Sequence, residues 1–195
     1  GVLQIDWAQR RVSIEASHPL PTRAHGLMAE ASGGFLAVDS RPGQVLMRFD
    51  AQGQLVQSHA VVQDLPHRTL GGHVTLSADG RWLYAAETDV ATGQGWIGVR
   101  DVHTLKRVDA WPSGGLDPHQ HMLLPNGDLV VANGGIPRDV KGNKINLPNM
   151  DPSLVVLSQR DGSLQGQWQR LRQAVVRPSP TGDVSSQDAT PAMSR

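Results

Sequence analysis

Apolar and polar positions alternate along most of this chain in short runs, each closed by a Gly-, Asn- or Asp-bearing turn. One set of runs reads Phe35–Val38, Trp82–Ala86 and Leu129–Ala132. A second reads Val45–Phe49, Trp96–Arg100 and Leu154–Leu157, and a third Leu55–His59, Arg107–Trp111 and Leu164–Trp168. Short runs at period two, bounded by turn residues, predict β-strands. Before the first set lies another short apolar strand, such as Val74–Ser77. The pairs Gly33-Gly34, Asp79-Gly80 and Asn126-Gly127 tolerate the positive φ of tight hairpins. Each unit therefore holds four strands, and the units recur at a period near 45 residues, the mark of a β-propeller blade. An antiparallel sandwich also has many short strands. It does not require equal residue types at equal offsets, which this chain shows.

The ends are incomplete. Val2–Asp6, Trp7-Ala8-Gln9-Arg10 and Arg11–Ala16 read as a third strand, a turn and a fourth strand. The last recognisable strand stops near Trp168. The expected fold is all-β, a partial propeller of about three and a half four-stranded blades over residues 1–172. An open array leaves sheet faces uncovered, so the chain is expected to be a fragment of a larger ring, with pairing of two half-rings as the competing explanation. Residues 173–195, rich in Pro, Ser, Thr, Asp and Gln, are expected to be a disordered or non-native tail.

Composition removes several function classes. Lys plus Arg and Asp plus Glu are 18 each, without the basic excess of a dedicated nucleic-acid binder. No cysteine is present, which excludes disulfides, thiolate metal sites and cysteine nucleophiles. No run approaches the roughly 20 apolar residues of a membrane span. Gly-x-Ser-x-Gly, Walker and dinucleotide-binding signatures are missing.

The candidate chemistry is a histidine repeated once per unit. His25, His73 and His119 are spaced 48 and 46 residues apart, and fourteen residues after each comes a polar residue: Asp39, Glu87 and Asn133. The segments between them read HGLMAEASGGFLAVD, HVTLSADGRWLYAAE and HQHMLLPNGDLVVAN. Each histidine opens the innermost strand and each partner ends the second strand, so both sets fall on one face, near the channel mouth. Arg23 and Arg68 sit on the segments leading in and suit an anion. The candidate ligand-binding set is Arg23, His25, Arg68, His73, Glu87, His119 and Asn133. Within it His25, His73 and His119 are the candidate metal ligands, with Glu87 and Asp39 for charge compensation. No catalytic residue is assigned. If the channel holds the rings too far apart for one ion, an anionic or chelate ligand spanning the mouth fits instead. A purely structural reading stands beside these: each histidine bonds a neighbouring carbonyl and each partner caps a turn. His119 and His121, two apart on a strand, would share a side and form a second candidate metal pair. Asp6, Asp50 and Asp101 read as turn carboxylates. Trp7, Trp82, Trp96, Trp111 and Trp168 read as packing between blades. Gly134–Pro152 reads as an ordered surface insertion.

The blocks HPLPTRAHG, SRPGQVLMRFDAQG, GGHVTLSADGRWLYAAETDVATGQGWIGVRDV, DPHQHMLLPNGDLVVANGGI and NKINLPNMDPSLVVL occur in order between Pro19 and Leu157 or beside them. In them the chain resembles the bacterial domain of unknown function 1513 family. The resemblance implies an exported protein with a seven-bladed propeller-like fold, similar to quinoprotein dehydrogenase β-chains and YVTN-repeat proteins. It also implies a periplasmic location and iron-uptake proteins of the imelysin type as neighbours or partners. The expected function is therefore a small-ligand or metal-binding protein linked to periplasmic iron acquisition, with the cofactor unassigned and a metal ion as the candidate. Two alternatives remain open: a protein–protein interaction scaffold, and an enzyme of lactonase or quinoprotein dehydrogenase type. Two departures stand out. Gln120 follows Pro118-His119 where the family has Glu, and LRQAVVRPSPTGD stands where the family begins another blade with Ser-Ile-Arg-His.

Overall fold

A computed structural model describes residues 1–139 and 141–169. The expectation for the tail 173–195, and the LRQAVVRPSPTGD departure, lie outside the described residues. The alternating runs form fourteen strands: β1 (Val2–Asp6), β2 (Arg11–Ala16), β3 (Ala24–Ala29), β4 (Phe35–Asp39), β5 (Val45–Phe49), β6 (Leu55–Ala60), β7 (Arg68–Leu76), β8 (Trp82–Asp89), β9 (Gln94–Asp101), β10 (Arg107–Leu116), β11 (Pro118–Leu123), β12 (Leu129–Asn133), β13 (Ser153–Leu157) and β14 (Leu164–Gln169).

They pair in chain order as antiparallel meanders. β3 to β6 form one four-stranded blade, β7 to β10 a second and β11 to β14 a third, with β1–β2 as a two-stranded sheet before them. The fold is a partial β-propeller. Among the described residues, no helix is long and apolar enough to cross a membrane.

The blades stack through the faces of their middle strands, which explains why those strands are nearly continuously apolar rather than alternating. Leu36, Val38 and Leu46 of the first blade close on Leu70, Leu83 and Ala85 of the second. On the other face of the second blade, Tyr84, Ile97, Val99 and Trp111 close on Leu129, Val131, Val155 and Leu157 of the third. Ala37, Met47 and Phe49 form the opposite face of the first blade. Each fully buried Leu or Val contributes about 1.5–3 kcal/mol relative to exposure, so the two seams between blades hold most of the apolar stabilisation.

The carboxylates at the blade turns act locally. Asp50 Oδ1 accepts from the amides of Gln52 and Gln54, Asp101 Oδ1 from that of Thr104, and Asp6 Oδ1 from that of Gln9. The tryptophans divide. Trp111 packs against Tyr84 with ring centroids 5.4 Å apart, and Trp82 and Trp96 are half-buried. Trp7 and Trp168 are 82% and 59% exposed, so they do not pack between blades. Each lies outside the two seams.

One sequence boundary shifts. The inner strand of the second blade begins at Arg68 rather than near Val74, because Arg68 and Thr69 pair with Asp89 and Thr88 at the lengthened end of β8. Arg68 is therefore a buried strand residue and not part of a loop leading to the mouth. The insertion 134–152 carries a bridge between Arg138 and Lys144 and a 3-10 turn at Leu147–Asn149.

Candidate metal centre

Each histidine of the repeat is placed by a β-bulge. In the first blade Ala24 pairs with Asp39 and Gly26 with Val38, which leaves His25 as the extra residue. In the third, Pro118 pairs with Asn133 and Gln120 with Ala132, which leaves His119 extra. In the second, the ladder jumps from Leu70–Glu87 to Val74–Ala85, so Gly71, Gly72 and His73 stand opposite Ala86. A bulge re-aims a side chain out of the strict alternation of a strand. In the first and third blades the fourteen-residue spacing thus reports hairpin register, the residue before the histidine pairing with the later polar residue, whereas in the second Glu87 pairs with Leu70.

Glycines then let the inner strands of neighbouring blades touch. A Cβ on Gly26 would collide with the carbonyl oxygen of Gly72. Gly72 has φ +101°, which suits glycine, and a Cβ there would lie 2.7 Å from Cδ2 of His25. The three imidazoles meet as a result. Ring centroids of His25 and His73 are 4.8 Å apart, those of His73 and His119 4.9 Å, and those of His25 and His119 5.5 Å. One ligand nitrogen from each lies within 4.8 Å of the others. Tetrahedral zinc with nitrogen at about 2.0–2.1 Å needs nitrogens about 3.3 Å apart. A shared ion therefore requires the nitrogens to draw closer than they stand here.

The electrostatics favour the neutral form at His73 and His119. Burial lowers the His73 pKa from its ordinary value, and the neighbouring His119, His25 and Arg41 lower it further. His119 is lowered by burial first and then by Arg41, against a backbone hydrogen bond with Gly71 that raises it. A neutral imidazole is the form that binds metal.

Arg41 and Asp117, absent from the sequence-derived set, complete the site. Arg41 Nη2 lies 3.0 Å from His119 Nδ1, and Arg41 Nη1 donates to Asp117 Oδ1 at 2.6 Å. Asp117 is buried and also receives Arg138 Nε at 2.8 Å. Arg41 belongs to the first blade but reaches a histidine of the third. Its loop is fastened to β7 by reciprocal backbone hydrogen bonds between Gly43 and Leu70 of 3.0 and 2.8 Å. The only sequence signal for it is position: it follows the second-strand end, Asp39, by two residues.

The remaining candidates are used elsewhere. Glu87 is fully buried and accepts from Arg100 Nη2 at 2.6 Å. It does not join the imidazoles, so the charge-compensating role fails: β8 turns its carboxylate toward β9. Asp39 accepts from the amides of Gln44 and Val45 at 3.1 and 3.0 Å, which closes the loop that carries Arg41. Asn133 donates to the Ser113 carbonyl and the Ser153 hydroxyl at 2.9 and 3.2 Å, tying the second and third blades. Arg68 lies 4.1 Å from the Trp96 ring centroid and 3.7 Å from Asp89, so burial against an aromatic face replaces the expected anion contact. Arg23 is exposed, and its carbonyl accepts from the Ser40 amide at 2.8 Å. The His119–His121 pair also fails. The bulge at His119 breaks the alternation, and His121 Nε2 bonds the Tyr84 carbonyl at 2.9 Å inside the seam.

With the geometry in hand, comparison with known proteins adds the following. A family profile described as "Protein of unknown function (DUF1513)" matches residues 18–179. No curated protein matches the chain. Among solved structures, a europium-containing methanol dehydrogenase is similar with TM-score 0.54 and 14% identity, covering 86% of this chain and 38% of that one. The periplasmic gluconolactonase PpgL of Pseudomonas aeruginosa is similar with TM-score 0.52 and 19% identity, covering 79% of this chain and 41% of that one. The Dos1 propeller is similar with TM-score 0.52 and 13% identity, covering 75% and 36%. At these identities the likeness is one of fold. The chain spans 36% to 41% of the length of these structures.

Proposed function

This chain belongs to the DUF1513 family of proteins of unknown function, and on that premise we propose that it is an exported, metal-binding propeller whose site is the imidazole cluster His25, His73 and His119. The observation that carries this reading is the approach of three ligand nitrogens to within 4.8 Å, one from each of three successive blades. Structural histidines of a repeat normally bond inside their own seam, as His121 does with Tyr84. These three leave the alternation of their strands and face one another. Three imidazoles suit zinc, copper, nickel or ferrous iron, a set that admits the periplasmic iron-acquisition role which the family resemblance implies. The protein's part is to hold neutral nitrogens in place and to leave further coordination positions open. The open positions would take water or a small ligand.

The test is calorimetric titration of the chain with Zn²⁺, Ni²⁺ and, without oxygen, Fe²⁺. One ion per chain is expected, with affinity reduced at least about tenfold in His73→Ala. Equal affinity in the variant, or no binding of any of the three ions, overturns the proposal.

A further inference from the structure

The charges around the imidazoles do not balance a cation. A divalent ion on three neutral rings carries two positive charges. Arg41, Arg138 and Asp117 add one more, from two guanidinium groups and one carboxylate. Among the described residues no carboxylate joins the three imidazoles. Glu87 serves Arg100, Asp39 caps a loop, and Asp117 already holds two arginines. A metal here would sit beside a guanidinium whose one carboxylate, Asp117, is shared with Arg138, and no carboxylate is left for the ion.

The hydrogen bonding shows where an anion would go. A guanidinium only donates, so the contact of Arg41 Nη2 with His119 Nδ1 uses the lone pair of that nitrogen. A metal bound at Nδ1 displaces that donor. Arg41 remains anchored through Nη1 to Asp117, itself held by Arg138. The released Nη2 then faces the coordination sphere, with part of the Arg41 side chain open to solvent. Guanidinium groups pair readily with carboxylate and phosphate oxygens.

Resting on the metal-binding reading, we propose that the site takes its ion together with an oxyanion co-ligand, and that Arg41 is the residue that anchors the anion. The ligand class is a metal chelate or metal–carboxylate pair rather than a bare cation. Arg41 passes its donor from His119 to the anion as the metal arrives. The same residue thereby disfavours an unaccompanied ion and favours an accompanied one.

The experiment titrates the full chain with Co²⁺ in a non-coordinating buffer, with and without acetate, following calorimetry and the visible d–d bands. Wild type should bind Co²⁺ at least about tenfold more tightly with acetate present, and acetate should alter the bands of the bound ion. Arg41→Gln should bind bare Co²⁺ at least as tightly as wild type, and acetate should change its affinity less than about twofold. Co²⁺ binding that ignores acetate, or the same acetate effect in Arg41→Gln, overturns the anion proposal and leaves the metal site standing. No Co²⁺ binding by either protein overturns the metal site itself. Thermal unfolding of Arg41→Gln confirms that the compared proteins are folded.

Discussion

His121 offers a quantitative handle on the seam between the second and third blades. It is 2% exposed, and its Nε2 must donate to the Tyr84 carbonyl, 2.9 Å away, because a carbonyl only accepts. That fixes the neutral tautomer and leaves Nδ1 buried without a partner. Protonating Nδ1 would place an unpaired charge in the seam, and burial accordingly pushes the His121 pKa down to about 4. The unfolded chain holds this histidine near 6.5. Between those values the unfolded state binds the proton and the folded state does not. Stability from this group is therefore complete above about pH 6.5 and is lost as pH falls toward 4. At about 1.4 kcal/mol per unit, the full loss is about 3 kcal/mol.

The perturbation is His121→Gln, whose amide can still reach the Tyr84 carbonyl but does not titrate. Urea unfolding at pH steps from 7.5 to 4.5 gives stability against pH for both proteins. His73 and His119 also have lowered pKa values and add slope to both curves, so the difference between curves isolates His121. The wild type should lose about 2–3 kcal/mol more than the variant over that range. Parallel curves would refute the reasoning, whatever the variant's stability at pH 7.5.

Two further outcomes follow from the packing. Arg100 is fully buried between Glu87 and Asp64, with Nη2 and Nη1 at 2.6 and 2.7 Å from their carboxylates. Arg100→Met should cost about 3–5 kcal/mol in chemical denaturation, and adding Glu87→Gln should recover part of that loss, since the single change leaves a buried charge unpaired. Strict additivity of the two substitutions would contradict this. Gly72→Ala should cost about 1–3 kcal/mol, from strain at positive φ and from the contact with His25, and should weaken metal binding by displacing that ring. Unchanged melting together with unchanged affinity would count against the glycine contact as the device that brings the blades close.

The blades, their strand order and the histidine station were legible in the sequence because a repeated hairpin register leaves a repeated spacing. Ala24–Asp39 and Pro118–Asn133 are direct cross-strand pairs, and the fourteen-residue interval records them. The direction of the side chains was not legible. A bulge adds a residue without altering composition, so strict alternation wrongly joined His121 to His119, and the strand-end position that placed Glu87 at the mouth did not tell which way its carboxylate turns. Gly71-Gly72 before His73 was the visible hint of irregular pairing. Arg41 was hidden for another reason. Its contact with His119 spans 78 positions, and it depends on how one blade's loop is pinned to the next.

A residue that is surplus to the ladder has a freedom its neighbours lack. His25 and His119 stand opposite no partner of their own, so their identity is decoupled from the pairing that builds each sheet. Exchanging them would retune the rim while leaving the scaffold's register in place. The three positions act as interchangeable sockets on a fixed frame, open to new chemistry without a new fold.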